Sequence, residues 1–299
     1  MTSPKKILRA WNIRAKKQFG QHFLAEPSTA KMIVSRANIS PKDIILEIGA
    51  GLGALTVPLA RVAQKVYAVE KDRHICDLLK TELLVNNIFN VTIIAKNILQ
   101  VDYQPIAEKY DRQIVVIGNL PYNISSQILI QLIHSRKFVS RAILMFQKEL
   151  AQRIMAQPGT KNYGRLTVML RYCADIEAIT TIHASVFFPA PKVDSEILEI
   201  IFKSELDHPA HDEAMLFKVI KAAFGNRRKT LRNALAASGL NIDACTALRA
   251  LNMAGIDPNR RAETLSVSEF ILLQINLTQI IKTDNNLADV NSDRSITKP

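Results

Sequence analysis

Ile44-Ile45-Leu46-Glu47-Ile48-Gly49-Ala50-Gly51-Leu52-Gly53-Ala54 decides the architecture of this chain. An apolar run of strand length breaks into closely spaced glycines, and an amphipathic stretch follows. Glycine at such a break permits a tight turn and lets a ligand approach the backbone closely. Strand, glycine turn and helix in that order open a parallel sheet flanked by helices. The rest of the first two-thirds of the chain repeats that alternation. Strands are expected over residues 44–48, 65–69, 91–95, 114–117 and 141–146, with helices over 54–63, 73–85, 125–134 and 148–155. A further helix over 165–172 leads to a hairpin of 176–182 and 196–202. The join Phe187-Phe188-Pro189-Ala190-Pro191-Lys192 is expected to stay out of the ladder because of its prolines.

The fold class is therefore α/β, a Rossmann-like sheet with helices on both faces. After Phe202 the pattern changes to helical spacing alone, in Phe217, Val219, Ile220 and Ala223-Phe224, then Leu231, Ala234 and Leu235, then Leu248 with Leu251. This divides the chain into a basic N-terminal arm (1–25), a Rossmann-like domain (26–205), a small all-helical C-terminal domain (206–282) and a polar tail (283–299) expected to be disordered. Hydrophobic residues at 48% and charged residues at 22% are ordinary for a globular protein, but a net charge of +12 attracts polyanions such as nucleic acid. Cys76, Cys173 and Cys245 lack any paired spacing, so neither a zinc site nor a disulfide framework is expected, and a reducing, cytoplasmic compartment is. No window reaches the ~18 unbroken apolar residues of a membrane span. The arm carries Lys5, Lys6, Arg9, Arg14, Lys16 and Lys17 before the first acid, Glu26, and could be an organelle transit segment but for the motif in its later half.

Taken alone, the glycine turn is ambiguous. Gly49-x-Gly51-x-x-Ala54 fits a dinucleotide site, and Glu70 lies 70 − 49 = 21 residues on, near the spacing of ~20 for a ribose-binding acid. A nicotinamide oxidoreductase is thus a rival to an S-adenosylmethionine enzyme. Three features favour the second. Glu47 places an acid where it would repel a diphosphate and suit a sulfonium. Asn97, after the third strand, can pair with an adenine edge. Asn119-Leu120-Pro121-Tyr122, after the fourth, offers the Asn119 side-chain oxygen and the Leu120 carbonyl beside an aromatic face, with Pro121 holding Leu120 extended. Two acceptors beside one ring suit the exocyclic amine of a flat base, which is the chemistry of methyl transfer to adenine nitrogen. Catalysis would then come from Asn119, Leu120 and Tyr122, with Tyr122 and Phe187 stacking on an unstacked base.

With these residues assembled, the chain resembles the rRNA adenine dimethyltransferase family over roughly residues 14–270. The resemblance runs through Lys17-Gln18-Phe19-Gly20-Gln21-His22-Phe23-Leu24, Glu47-Ile48-Gly49-Ala50-Gly51 and Gly118-Asn119-Leu120-Pro121-Tyr122-Asn123-Ile124-Ser125. It continues in Phe146-Gln147-Lys148-Glu149, Tyr163-Gly164-Arg165-Leu166, the segment 187–195, and Ala223-Phe224-Gly225-Asn226-Arg227-Arg228-Lys229-Thr230-Leu231-Arg232-Asn233. It implies a class I methyltransferase sheet and an S-adenosylmethionine site drawn from His22, Leu24, Gly49, Gly51, Glu70, Asn97 and Asn119, with no metal. His22 stands where the family often has Asn, and Asn97 where it usually has Asp. His22 can still donate to a cofactor carboxylate, and Asn97 can still accept from the adenine amine.

The implied substrate is the pair of adjacent adenines in the loop near the 3′ end of 16S rRNA, in a small-subunit precursor, acted on by a monomer away from any membrane. Arg227, Arg228, Lys229 and Arg232 would bind its phosphates, with Arg228 and Arg232 sharing a helix face at i, i+4 and the basic leader gripping a second length of backbone. Two other readings stand beside this one: the 23S enzyme of macrolide resistance, and a non-catalytic RNA-binding assembly factor that keeps the fold.

Overall fold

The computed structural model describes residues 4–12, 15–16, 20–226 and 228–295, with side chains as far as residue 284. Arg14, Lys17, Gln18, Phe19 and Arg227 lie outside the described residues. The strands are β1 (Phe23–Leu24), β2 (Ile44–Ile48), β3 (Lys65–Val69), β4 (Val91–Ile94), β5 (Ile114–Asn119), β6 (Val139–Gln147), β7 (Ala174–Ile182), β8 (Phe187–Phe188) and β9 (Ser195–Phe202). The helices are α1 (Pro4–Ala10), α2 (Pro27–Arg36), α3 (Thr56–Ala60), α4 (Arg73–Val85), α5 (Gln104–Lys109), α6 (Ser125–His134), α7 (Lys148–Ile154), α8 (Arg165–Cys173), α9 (Glu213–Ala223), α10 (Leu231–Ala236), α11 (Ala244–Met253) and α12 (Val267–Ser295).

The chain divides into two compact units, residues 1–152 with 173–204, and residues 153–172 with 205–299. One division falls between residues 204 and 205, and 153–172 goes with the second unit instead of the sheet. The reason lies in its apolar residues: the buried Tyr163 packs against Phe224, ring centroids 6.3 Å apart, and Phe224 against Phe270 at 5.9 Å.

In the first unit a seven-stranded sheet runs β4-β3-β2-β5-β6-β9-β7. From β4 to β6 every pairing is parallel, while β9 lies antiparallel between β6 and β7. All five residues of β2 are buried, as expected for a central strand covered on both faces. Leu59, Val66, Val115, Ile143 and Ile197 belong to one buried cluster on the sheet, and full burial of such a side chain stabilises the fold by about 1.5–3 kcal/mol each. Helix α4 buries Ile75, Cys76, Leu78, Leu79 and Leu83, one face at helical spacing, and Asp72 caps it by accepting from the His74 amide at 3.2 Å. Helix α3 is shorter than the expected 54–63, because the glycine turn runs on through Gly53 at φ +85° before the helix starts.

Two expectations fail. Phe187-Phe188 is ladder after all: β8 pairs antiparallel with β1, Phe23 opposite Phe188 and Leu24 opposite Phe187. The prolines only bar the residues after Phe188. The tail is helical, not disordered, as far as Ser295. Residues 283–295 contain neither proline nor glycine, so a helix already nucleated upstream meets nothing that stops it.

The second unit is helical, as its spacing indicates. Leu216, Val219, Ile220, Leu231, Leu235, Leu251, Leu273 and Leu277 are buried within it, and Asp212 and Asp243 cap α9 and α11. No helix among the described residues is long and apolar enough to cross a membrane.

Candidate functional site

The strand order reverses at β2 and β5, and the crevice outside their C-terminal ends is where a doubly wound sheet binds ligands. Gly49 follows β2 at φ +72°, and a Cβ there would fall 3.1 Å from the Asn119 carbonyl oxygen. Gly118 lets β5 close on β2, since its Cβ would fall 2.4 Å from the Ile48 carbonyl oxygen. The cleft so formed is lined by His22, Gly49, Gly51, Glu70, Asn97 and Asn119, six of the seven expected cofactor residues. The seventh, Leu24, lines a smaller cavity that shares His22, Phe23, Gly49, Gly51 and Asn119 with the first. Each residue arrives from a different connection: Glu70 follows β3, Asn97 follows β4, Asn119 ends β5, and His22 precedes β1.

The polar groups of the cleft are already oriented. The Glu70 carboxylate accepts from the Gly51 amide at 3.1 Å and the Asp72 amide at 2.9 Å, bracing the glycine turn, while burial pushes its pKa up. Asn119 donates from Nδ2 to the His22 carbonyl at 3.0 Å, which turns Oδ1 away from that carbonyl. His22 Nδ1 lies 2.7 Å from the Pro189 carbonyl and donates to it, leaving Nε2 as the ring's other polar atom. The Asn97 side-chain oxygen accepts from the Leu99 amide at 3.2 Å, capping a short 3-10 turn. That oxygen therefore reaches any adenine amine only as a shared acceptor.

The aromatic residues divide. Tyr122 is half-buried, its ring stacked on His22 at 5.7 Å and its hydroxyl 3.0 Å from Ser195 Oγ. Burial raises the Tyr122 pKa. Leu120 is buried, so its backbone rather than its side chain is what the site can use. Phe187 is not available as a second stacking face: it is 4% exposed and packs into the sheet's apolar cluster with Leu24 and Ile197. Pairing with Leu24 turns it inward. Glu47 also differs from expectation. It is buried, and burial, opposed by the Thr56 hydroxyl beside it, raises its pKa to about 8, which favours the protonated acid in the empty cleft over a standing negative charge.

Sequence reasoning missed Ile48, Val69 and Ile98, buried residues that give the cleft apolar walls, and Lys71 and Lys96 at its rim. Their common signal was position, since each sits at or just after the C-terminal end of β2, β3 or β4.

Arg228, Lys229 and Arg232 are exposed in the second unit. Arg228 precedes α10 in a turn instead of sharing its face with Arg232, because the helix begins only at Leu231. In the arm, Lys16 is held to Asp72, Nζ to Oδ2 2.8 Å, and exposed Lys5, Lys6 and Arg9 lie on α1.

Residues 12–279 match the family model described as ribosomal RNA adenine dimethylase. The chain is 48% identical over 270 residues to the ribosomal RNA small subunit methyltransferase A of Desulforapulum autotrophicum, covering 90% of this chain and 94% of that one. It is 38% identical over 274 residues to the protein of the same name from Myxococcus xanthus, covering 92% and 95%. Among solved structures it is similar to a dimethyladenosine transferase from Plasmodium falciparum, with a TM-score of 0.74, 26% identity, and 87% and 98% of the two chains covered. The fold alone is shared with the 23S rRNA methyltransferase ErmE, at a TM-score of 0.63, 23% identity, and 86% and 99% coverage.

Proposed function

The chain belongs to the ribosomal RNA adenine dimethylase family, and from that premise we propose that it dimethylates N6 of two adjacent adenines in the 3′-terminal hairpin loop of 16S rRNA during small-subunit assembly. It is a methyltransferase that uses S-adenosylmethionine, which supplies a methyl group on a sulfonium cation. The residues present fit that cofactor. Glu70 offers acceptors beside a glycine turn, Ile48, Val69 and Ile98 wall a flat ring, and the smaller cavity holds a buried carboxyl with an unpartnered oxygen, Glu47 Oε2. The family matched over residues 12–279 is a methyltransferase family. This argues against the nicotinamide reading.

The observation that carries the proposal is Asn119, tethered through Nδ2 to the His22 carbonyl at the mouth of the cofactor cleft. Its Oδ1 and the Leu120 carbonyl accept the two amine hydrogens of the target adenine and orient the nitrogen lone pair. Tyr122, steadied by His22 and Ser195, gives the base one stacking face. The rate then comes from positioning and fixed dipoles, and the adenine must first leave its stack. Arg228, Lys229 and Arg232 hold the RNA by its phosphates, and the protein works as a monomer in the cytoplasm, where its ribosomal substrate is made. The intact Asn119–Tyr122 segment speaks against a purely structural RNA-binding role.

The test is incubation with labelled S-adenosylmethionine and under-methylated small or large subunits, followed by mapping of the modified bases. Label is expected at two adjacent adenines of 16S rRNA, and Asn119→Ala should lower incorporation at least about a hundredfold with RNA binding retained. Label on 23S rRNA, or near-normal incorporation by the variant, overturns the proposal.

A further inference from the structure

Glu47 is a strongly buried acid whose role the positioning of adenine does not explain. It lies one residue before the end of β2 with only 1% of its surface exposed, and its Oε2 meets no hydrogen-bond partner among the described residues. The cavity it lines is otherwise formed by His22, Leu24, Gly49, Asn119, Met145 and small or apolar neighbours. Two other titratable groups face it: Glu70 at the end of β3, and His22 across the cavity. A carboxylate placed there without a partner carries a heavy desolvation penalty. Burial pushes the Glu47 pKa to about 8, with the Thr56 hydroxyl opposing the shift and the charge of Glu70 adding to it, which favours the protonated acid while no cation is present. Glu70 is placed differently, each of its oxygens accepting one backbone amide, from Gly51 and from Asp72.

We propose that Glu47 selects the cationic cofactor, giving its proton to solvent when positive charge enters the cavity and taking one back when an uncharged ligand replaces it. This rests on the function proposed above. On binding, the O–H bond of the carboxyl breaks, the electron pair stays on the carboxylate and the proton leaves to water. On exchange for a neutral ligand the carboxylate takes a proton from water. A permanently ionised acid would destabilise the empty cleft, and a glutamine could not answer the charge. An ionisable acid meets both conditions. Because methyl transfer removes the sulfonium charge, the returning proton weakens the hold on the spent cofactor.

Isothermal titration calorimetry on the full chain at pH 7, in phosphate and in Tris, reads the proton directly from the difference in apparent heat. S-adenosylmethionine should release about one proton per site, and S-adenosylhomocysteine, which lacks only the methyl group and the sulfonium charge, close to none. Glu47→Gln should abolish the release and reduce the preference for the charged ligand at least about tenfold. Binding of S-adenosylmethionine without proton release, or equal release with both ligands, overturns the role of Glu47, and the wild-type measurement decides this even if the glutamine variant folds poorly. Failure to bind S-adenosylmethionine at all overturns the proposed function and this inference with it.

Discussion

Asn97 has one side-chain oxygen, and the Leu99 amide already uses it. An aspartate in its place would keep that cap with one oxygen and offer the second, with a charge, to an adenine amine. Asn97→Asp is therefore expected to tighten S-adenosylmethionine several-fold, about 1 kcal/mol for one added hydrogen bond, with little change in turnover at saturation. A titration showing an unchanged Kd would mean that the adenine is not held there. The position was readable from the sequence because a parallel sheet presents its ligands at strand ends, and Asn97, Glu70 and Asn119 each stand at one. Atom-level roles were not readable. Which of two adjacent phenylalanines turns inward depends on the partner strand, and pairing Phe187 with Leu24 sent it to the core. The charge state of Glu47 depends on burial that no residue spacing reports.

At the scale of elements, the parallel strands were legible because continuous apolar runs bounded by turns admit few other readings. The β1–β8 ladder was not, since each strand is two residues long and they are separated by more than 160 positions. Yet this small ladder fastens the arm to the sheet. Ala25 donates to the Val186 carbonyl at 2.8 Å, His22 to Pro189, and Asp72 accepts from Gln21 Nε2 at 3.3 Å while pairing with Lys16. Burial alone would raise the Asp72 pKa, but Lys16 and Gln21 hold it below the usual carboxylate range. Asp72 thus joins the cap of α4 to the segment that carries Gln21 and His22 into the cleft. Asp72→Ala should lower stability by about 1–2 kcal/mol through the lost cap and weaken cofactor binding several-fold. Asp72→Asn can still cap, so urea unfolding should show most of the stability restored while calorimetry shows the affinity still reduced. Full affinity in the alanine variant would mean that the arm is held by its ladder alone.

Over the whole molecule, the net charge of +12 is what first suggested a polyanionic partner, and membership of an rRNA-modifying family gives that field a purpose. The field speeds encounter and favours any RNA, while the choice of adenine lies with Asn119 and its neighbours. The two duties fall on different groups and separate by their response to salt. Arg228, Lys229 and Arg232 are exposed in the helical unit, and no acidic residue lies between positions 214 and 242 to neutralise them. A phosphate contact releases a counterion, so each one lost should lower the slope of log K against log salt by about one. Arg228→Ala is expected to weaken binding to small-subunit RNA at low salt, to reduce that slope by about one, and to leave S-adenosylmethionine affinity unchanged. Arg228→Lys should recover most of the slope, because a phosphate asks first for charge. Filter-binding titrations over a range of potassium chloride concentrations measure all of this. An alanine variant with the parent slope would mean that Arg228 points its charge at water and that other basic residues carry the RNA.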